Sequence, residues 1–145
     1  IFAMANYAQT VNVIVAIKTT ATAAEMEPTG LVLSLYRKHY GVTPLTVTCD
    51  QGSLDVAAAR TADGAAITVA VVNPTEQSTT VALAFTGAQA TGAVRQWTLS
   101  GASRRSYNSP GQPRQVDVVQ ETVASLDGGV TVPALSVVLY EVPVR

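Results

Sequence analysis

The sequence has few of the residues from which many functional sites are built. Its 145 residues include a single cysteine, Cys49, and a single histidine, His39. One cysteine excludes a disulfide bond within the chain, and no motif or neighbouring base marks Cys49 as a nucleophile. We expect Cys49 to act as a small hydrophobic residue at the end of a strand. His39 has no second ligand at a metal-binding spacing, so we expect an ordinary histidine at a helix end and no cofactor.

Charged residues are also scarce, and they nearly balance to a formal net charge of −1. The sequence has no basic run and no aromatic RNA-binding motif, so we expect no nucleic-acid partner. The apolar stretch at residues 11–17 is too short to cross a membrane and contains Asn12, so we expect no membrane partner. Hydrophobic residues make up 48% of the chain, which is ample for the core of one ordinary domain.

The first 41 residues predict one element, a loop and then a helix. Residues 2–8 are compatible with a buried strand or, because alanine and methionine favour helix, with a helix. Apolar residues four apart predict a helix at residues 28–40. Its start is open between a capping box of Thr22 with Glu25 and a first turn at Pro28. Gly41 is placed to end it, after a last turn that carries three basic side chains.

The remainder of the chain has the pattern of an antiparallel β-sandwich, in which turn residues separate short β-rich runs. Residues 67–72 are apolar at both odd and even positions, which indicates an inner strand. Asp63-Gly64 predicts a hairpin turn, and residues 73–76 and 126–129 predict two further turns. The segment 101–115 lacks regular structure, and we expect Tyr107 to pin it. The predicted strands occupy residues 45–48, 54–60, 66–73, 79–85, 93–99, 116–122 and 136–142.

Several blocks of this sequence, taken in order, resemble family 51 of the glycoside hydrolases, the retaining α-L-arabinofuranosidases. The first block reads ANYAQTVNVI from Ala5, and a central block reads ITVAVVNPT from Ile67. No single block is a catalytic signature, so the resemblance depends on the order of the blocks along nearly the whole chain. The blocks occupy residues 5–14, 16–19, 29–41, 54–59, 67–75, 107–111 and 132–137.

The resemblance implies a mostly β chain with two parts. Residues 1–41 are then the last strand, loop and helix of a (β/α)8 TIM barrel, and residues 42–145 form an antiparallel, jelly-roll-like β-sandwich. In this interpretation residues 2–8 are the final barrel strand. A complete barrel needs roughly 200 residues or more. We therefore expect the rest of the barrel on polypeptide that precedes Ile1.

The resemblance also implies hydrolysis of terminal non-reducing α-L-arabinofuranosyl groups of arabinoxylan or arabinan. Retaining glycosidases use two carboxyl groups about 5–5.5 Å apart. The resemblance puts both glutamates on barrel strands four and seven, upstream of Ile1, so this chain alone is expected to be inactive. Glu25 and Glu27 are expected to be solvated or to cap the helix. The expected partners are the remaining barrel polypeptide, the sugar substrate and further copies in a homo-oligomer, and a secreted or periplasmic location is favoured.

Gln9 is the one residue for which the resemblance implies contact with substrate. It follows the predicted strand 2–8, and barrel active sites lie at the C-terminal ends of the strands. An amide suits a sugar because it donates and accepts hydrogen bonds at once. The alternative is that Gln9 only ties the loop after the strand. Asn6 and Asn12 are expected to be structural, and Tyr7 to pack.

A second hypothesis is a non-catalytic β-sandwich module that binds carbohydrate or protein. Its candidate sugar platform is Trp97, the only tryptophan. The pattern around Trp97 favours a mostly buried side chain over an exposed platform. The strand, loop and helix predicted for residues 1–41 also argue against this hypothesis, because such a module would not need them.

Overall fold

The computed structural model describes residues 7, 9–13 and 15–145. The strand predicted at residues 2–8 lies outside these ranges, apart from Tyr7. None of the helices in the described ranges is long and apolar enough to cross a membrane. In chain order the elements are β1 (Ile17–Thr19), β2 (Ala24–Met26), α1 (Pro28–His39), β3 (Thr43–Leu45), β4 (Asp55–Arg60), β5 (Ala66–Asn73), β6 (Thr79–Val81), β7 (Val94–Ser100), β8 (Asp117–Val123), β9 (Val130–Val132) and β10 (Ser136–Pro143).

Helix α1 begins at Pro28, which confirms one of the two predicted starts. Pro28 lies in the first turn, where its missing N–H leaves no hydrogen bond unmade. The capping box of Thr22 with Glu25 is wrong, because Glu25 lies in β2 and precedes the helix. Glu27 occupies the N-cap position but makes no side-chain capping bond.

Gly41 follows the helix for a different reason from the one predicted. The C-cap residue is Tyr40, whose backbone is extended (φ −77°, ψ 141°), and Gly41 is not left-handed. A Cβ at Gly41 would lie 2.6 Å from the carbonyl oxygen of Arg60. The Gly41 N–H donates to Thr68 Oγ1 at 2.8 Å. A glycine is therefore needed because the chain passes directly against the sheet as it leaves the helix.

Six strands form one antiparallel sheet in the order β3-β4-β5-β10-β7-β8. Strand β5 lies inside it, as predicted, and seven of its eight residues are buried. Its register with β10 runs from Asn73 opposite Ser136 to Ala66 opposite Pro143. Burial at successive positions of β5 requires that both faces of the sheet be covered.

A second, two-stranded sheet and the helix cover the two faces. Strands β6 and β9 pair antiparallel and close one side, which makes the β-sandwich. Between the sheets lies a cluster of valines with Tyr140, whose side chain is fully buried. On the opposite face, α1 packs Leu31 and Leu35 against buried residues of the large sheet, including Trp97 and Leu139. The sheet is therefore the middle of three layers.

The strand predictions are confirmed where the apolar pattern is long and fail where it is short. The strands predicted at residues 54–60, 66–73, 93–99, 116–122 and 136–142 match β4, β5, β7, β8 and β10 to within one residue at each end. The strand predicted at 45–48 is wrong, because β3 ends at Leu45. The one predicted at 79–85 stops at Val81. Strands β1, β2 and β9, each three residues long, were not predicted.

Of two further expectations, the one for Cys49 is wrong and the one for the Asp63-Gly64 turn is confirmed. Cys49 is exposed and lies outside any strand, so it is not a buried hydrophobic residue at a strand end. The turn at Asp63-Gly64 is confirmed: Gly64 has φ +72°, and the Asp63 carboxylate accepts from Thr61 Oγ1 at 2.6 Å and from the Ala65 N–H at 3.0 Å. These bonds lower the pKa of Asp63, with the Thr61 hydroxyl as the largest cause.

Candidate functional site around Gln9

Gln9 lies in a segment that folds back along β1. The Ile17 N–H donates to the Thr10 carbonyl at 3.0 Å, and the Asn12 N–H donates to the Ile17 carbonyl at 3.0 Å. Gln9 itself is exposed and left-handed, with φ +57°. Its side chain makes no hydrogen bond to the described part of the chain. The alternative in which Gln9 ties its own loop therefore has no bond among the described residues to support it.

Asn12 holds this segment in place. It is also left-handed, with φ +64°, a conformation that asparagine tolerates better than most residues. Its amide donates to Thr19 Oγ1 at 2.7 Å and accepts from the Thr19 N–H at 2.7 Å. Both ends of the amide are used within the chain, as expected of a structural asparagine. Asn6 lies outside the described residues.

The start of α1 holds the chain just before β1. The Glu27 N–H donates to the Ala16 carbonyl at 3.0 Å, and Thr29 Oγ1 donates to the Val15 carbonyl at 2.6 Å. Gly30 lets the two backbones meet, since a Cβ there would lie 2.2 Å from the Ala16 oxygen. Val15 and Ala16 are buried as a result. The segment of Gln9 is thereby connected to a rigid helix.

The loop at residues 101–116 holds β2 from the other side, and Asn108 rather than Tyr107 pins it. The Asn108 side chain is 1% exposed. Its Oδ1 accepts from the Gln115 and Val116 N–H groups, both at 3.0 Å, and its Nδ2 donates to the Val116 carbonyl at 2.8 Å. The same Nδ2 donates to the Met26 carbonyl at 3.0 Å. Tyr107 is half exposed, so the prediction that it pins the loop is wrong.

Two cations lie over this junction. Lys18 forms an ion pair with Glu27, and its ammonium lies 4.7 Å from the centre of the Tyr107 ring. Arg114 contacts Glu25 at 2.9 Å and Asp117 at 2.7 Å. Arg114 is the largest cause that lowers the pKa of Glu25, followed by the Met26 N–H. Glu25 and Glu27 are thus engaged in ion pairs, and the expectation that they are solvated or cap the helix is wrong.

The described residues offer no acid and base poised for glycoside hydrolysis. Glu25 pairs with Arg114 and Glu27 pairs with Lys18, so the two carboxyl groups are engaged with different cations. Retention needs two facing carboxyl groups, one of them able to give up a proton to the leaving group. Within the described ranges no group of three or more histidine, cysteine or acidic residues could hold a metal ion. The Gln9 side chain is exposed and makes no hydrogen bond to the residues that the structure describes.

Trp97 does not provide a sugar platform, because its side chain is 3% exposed. Its indole N–H donates to Gln120 Oε1 at 3.1 Å, and His39 stacks on the ring with centroids 4.2 Å apart. Partial burial lowers the pKa of His39 and favours its neutral form. The mostly buried tryptophan favoured by the sequence is confirmed, and His39 lies at the end of α1 as expected.

Comparison with known proteins identifies the chain's relatives. A family model described as the α-L-arabinofuranosidase C-terminal domain matches residues 1–136. No curated protein matches the chain.

Solved structures share the fold. The thermostable family 51 α-L-arabinofuranosidase of Thermotoga petrophila RKU-1 superposes with a TM-score of 0.76 at 23% identity, covering 92% of this chain and 32% of that one. The Thermotoga maritima α-L-arabinofuranosidase, solved with arabinose, gives 0.69 at 23% identity, covering 94% and 33%. The family 51 arabinofuranosidase of Xanthomonas axonopodis pv. citri gives 0.66 at 21% identity, covering 93% and 30%. The chain therefore spans about a third of the length of these enzymes.

Proposed function

Because the chain belongs to the family of α-L-arabinofuranosidase C-terminal domains, we propose that it is the C-terminal part of a retaining family 51 α-L-arabinofuranosidase. The observation that carries the proposal is the family match over residues 1–136. The three-layer fold, shared with enzymes about three times as long, supports it. The complete protein would release terminal α-L-arabinofuranosyl groups from arabinoxylan or arabinan.

In this proposal the two catalytic glutamates belong to the barrel polypeptide and not to this chain. Glu25 and Glu27 are paired with Arg114 and Lys18 within this chain, and Arg114 lowers the pKa of Glu25. The chain contributes the last part of the barrel and the sandwich behind it. The barrel is thus its first partner, and a homo-oligomer remains part of the proposal.

Gln9 would bind the arabinofuranosyl group at the subsite where the bond is cut. Its left-handed backbone lies in a segment bonded to β1, so the backbone is held while the side-chain amide makes no bond to the described residues. A free amide on a fixed backbone can donate to one sugar hydroxyl and accept from the next. A hydrogen bond of this kind contributes about 0.5–1.5 kcal/mol, or more where its loss leaves a buried group unpaired.

The test uses the complete enzyme and 4-nitrophenyl α-L-arabinofuranoside. We expect Gln9→Ala to lower kcat/KM roughly tenfold, corresponding to about 1.4 kcal/mol. Gln9→Glu, which keeps the shape and removes the donor, should also lower it. Gln51→Ala is the matched control, because Gln51 is an exposed glutamine whose side chain makes no hydrogen bond within the described ranges.

Three results would contradict the proposal. Unchanged kcat/KM in both Gln9 variants would remove Gln9 from the subsite. A complete protein without arabinofuranosidase activity would refute the proposed activity. A purified 145-residue chain that hydrolyses the substrate by itself would refute the proposal that the catalytic glutamates belong to the barrel polypeptide.

A further inference from the structure

We propose that Asn108 is a positioning residue for the substrate subsite, through which the sandwich holds the loop of Gln9. The consequence for catalysis rests on the proposed function of the complete enzyme. The structural claim of this proposal concerns this chain alone. The 101–116 loop holds the β1–β2 hairpin in place, and the hairpin holds the segment 9–13 in place.

Asn108 is built to hold one particular contact. All three of its bonds to Gln115 and Val116 lie within its own loop and orient the side-chain amide. That leaves the second N–H of Nδ2, which donates to the Met26 carbonyl across 82 residues of sequence. The Asn108 side chain is buried at 1% exposure, whereas the acceptor residue Met26 is 36% exposed. A buried amide with every group satisfied is rigid, because any rotation would leave a buried group without a partner.

The contact reaches Gln9 through consecutive pairings. Met26 lies opposite Ile17 in the β1–β2 hairpin. Ile17 exchanges backbone hydrogen bonds with Thr10 and Asn12, on either side of a parallel bridge to Val11. Met26 and Ile17 face each other as a strand pair, and the Glu27 N–H donates to the Ala16 carbonyl beside that pair. A shift of β2 should therefore move β1 and with it the backbone that carries Gln9.

The ion pair of Arg114 with Glu25 is a second, weaker tie of the same kind. It joins the same loop to the same strand, with Nη2 of Arg114 2.9 Å from Glu25 Oε1. Arg114 is more exposed than Asn108, so solvent screens this pair. The strength of the connection therefore lies mainly in Asn108, while Arg114 can be removed without opening the core.

Asn73 provides a matched control. It is also an asparagine at 1% exposure, and it donates to the Gln77 and Pro133 carbonyls at 2.8 and 2.9 Å while accepting from Thr75. Its partners lie at the end of β5 and beside β9, and none belongs to the β1–β2 hairpin. Loss of Asn73 should lower stability as loss of Asn108 does, without releasing the loop of Gln9.

The first experiment measures amide hydrogen exchange in the 145-residue chain by NMR. The reporters are the N–H groups of Asn12, Ile17 and Thr19, which are all bonded across the loop of Gln9. We expect Asn108→Ala to raise their exchange rates at least tenfold relative to amides of β5, and Arg114→Gln to raise them about twofold. Asn73→Ala should leave that ratio unchanged. Equal protection in wild type, Asn108→Ala and Arg114→Gln overturns the proposal, as does an equal loss of protection in Asn73→Ala.

The second experiment asks whether Asn108 acts through Gln9, with a double-mutant cycle in the complete enzyme. A misplaced binding group commonly costs 10- to 100-fold in rate. We expect Asn108→Ala to lower kcat/KM about tenfold, mainly through KM, and to have little further effect in a Gln9→Ala background. The same factor in both backgrounds would mean a merely structural role and overturns the proposal. If Asn108→Ala does not fold, Arg114→Gln is carried through the same cycle with a smaller expected factor.

The two proposals fail in different ways. A complete protein with no arabinofuranosidase activity refutes the proposed function, while the exchange measurement still decides whether Asn108 holds the loop. The positioning role alone is refuted if the enzyme is active and Gln9→Ala lowers its kcat/KM, but Asn108→Ala and Arg114→Gln change neither amide exchange nor kcat/KM.

Discussion

Replacement of Gly30 by alanine should destabilise the chain, although the same change stabilises most helices. Gly30 lies in the first turn of α1, and its φ is not left-handed. At an exposed helical position Gly→Ala gains about 1 kcal/mol of helix propensity. Here the new Cβ would lie 2.2 Å from the Ala16 oxygen and 3.0 Å from the Ala16 carbonyl carbon.

The size of the effect follows from what must move. Backbone atoms cannot rotate out of the way, so β1 and the start of α1 must separate. Overpacking of this kind costs about 1–3 kcal/mol. Separation also lengthens the bond from the Glu27 N–H to the Ala16 carbonyl, which contributes about 1 kcal/mol. After the propensity gain is subtracted, we expect a net loss of about 2 kcal/mol.

Urea unfolding followed by circular dichroism measures this loss. A loss of about 2 kcal/mol corresponds to a fall in Tm of roughly 6 °C for a domain of this size. Gly52→Ala is the control, because no atom lies within 4 Å of a Cβ built there and Gly52 is not left-handed. We expect that variant to stay within about 0.5 kcal/mol of wild type. An increase in stability of Gly30→Ala would refute the close contact between α1 and Ala16.

Two further predictions concern the two sides of the large sheet. Leu139→Ala leaves a cavity at a fully buried site beneath α1 and should lower the free energy of unfolding in urea by about 2–5 kcal/mol. The control Val119→Ala, at a position 56% exposed, should change it by less than about 0.5 kcal/mol. Equal effects of the two variants would contradict the packing of α1 on the sheet. Burial raises the pKa of Tyr140 to about 12, so the unfolded chain loses this proton first and stability should fall as pH rises from 10 to 12. Tyr140→Phe should reduce the dependence of the free energy of unfolding on pH, measured by urea unfolding between pH 10 and 12. An unchanged pH dependence in this variant would exclude Tyr140 as its source.

In these proposals the β-sandwich holds β2 in place and does not bind polysaccharide. Trp97 is covered by His39 and bonded to Gln120, so its ring face is closed to a polysaccharide. Instead, the loop before β8 reaches back to β2 through Asn108 and Arg114. In the two proposals, this contact lets the sandwich set the position of Gln9.

The candidate site was predicted from the sequence only in part. Gln9 was selected through the resemblance to family 51, and the structural role of Asn12 came from its residue type and place in the chain. Asn108 was passed over in favour of its larger neighbour Tyr107, because a pattern shows neither which side chain turns inward nor what it meets. Its partner Met26 is 82 residues away, and no local signal links the two.

The fold, like the candidate site, was predicted from the sequence only in part. The long strands β5 and β10 were predictable from their own residues, because both are rich in valine and other residues that favour strands. Helix α1 was also predictable from its four-residue apolar spacing, although its start was left open between Pro28 and a capping box. Both cases depend on chemistry that neighbours in sequence share. The sequence alone therefore determined the order, type and approximate bounds of the long elements, and the mostly β class.

Tertiary structure decided the short elements and the junctions. β6 stops at Val81 because β9 has only three residues to pair with it, whatever the propensity of residues 82–85. Gly30 and Gly41 are glycines because other parts of the chain, Ala16 and Arg60, come too close for a Cβ. A three-residue strand cannot persist without its partner, and a close contact exists only between segments already brought together. Those features depend on pairs of residues far apart in sequence, and only the folded chain brings the pairs together.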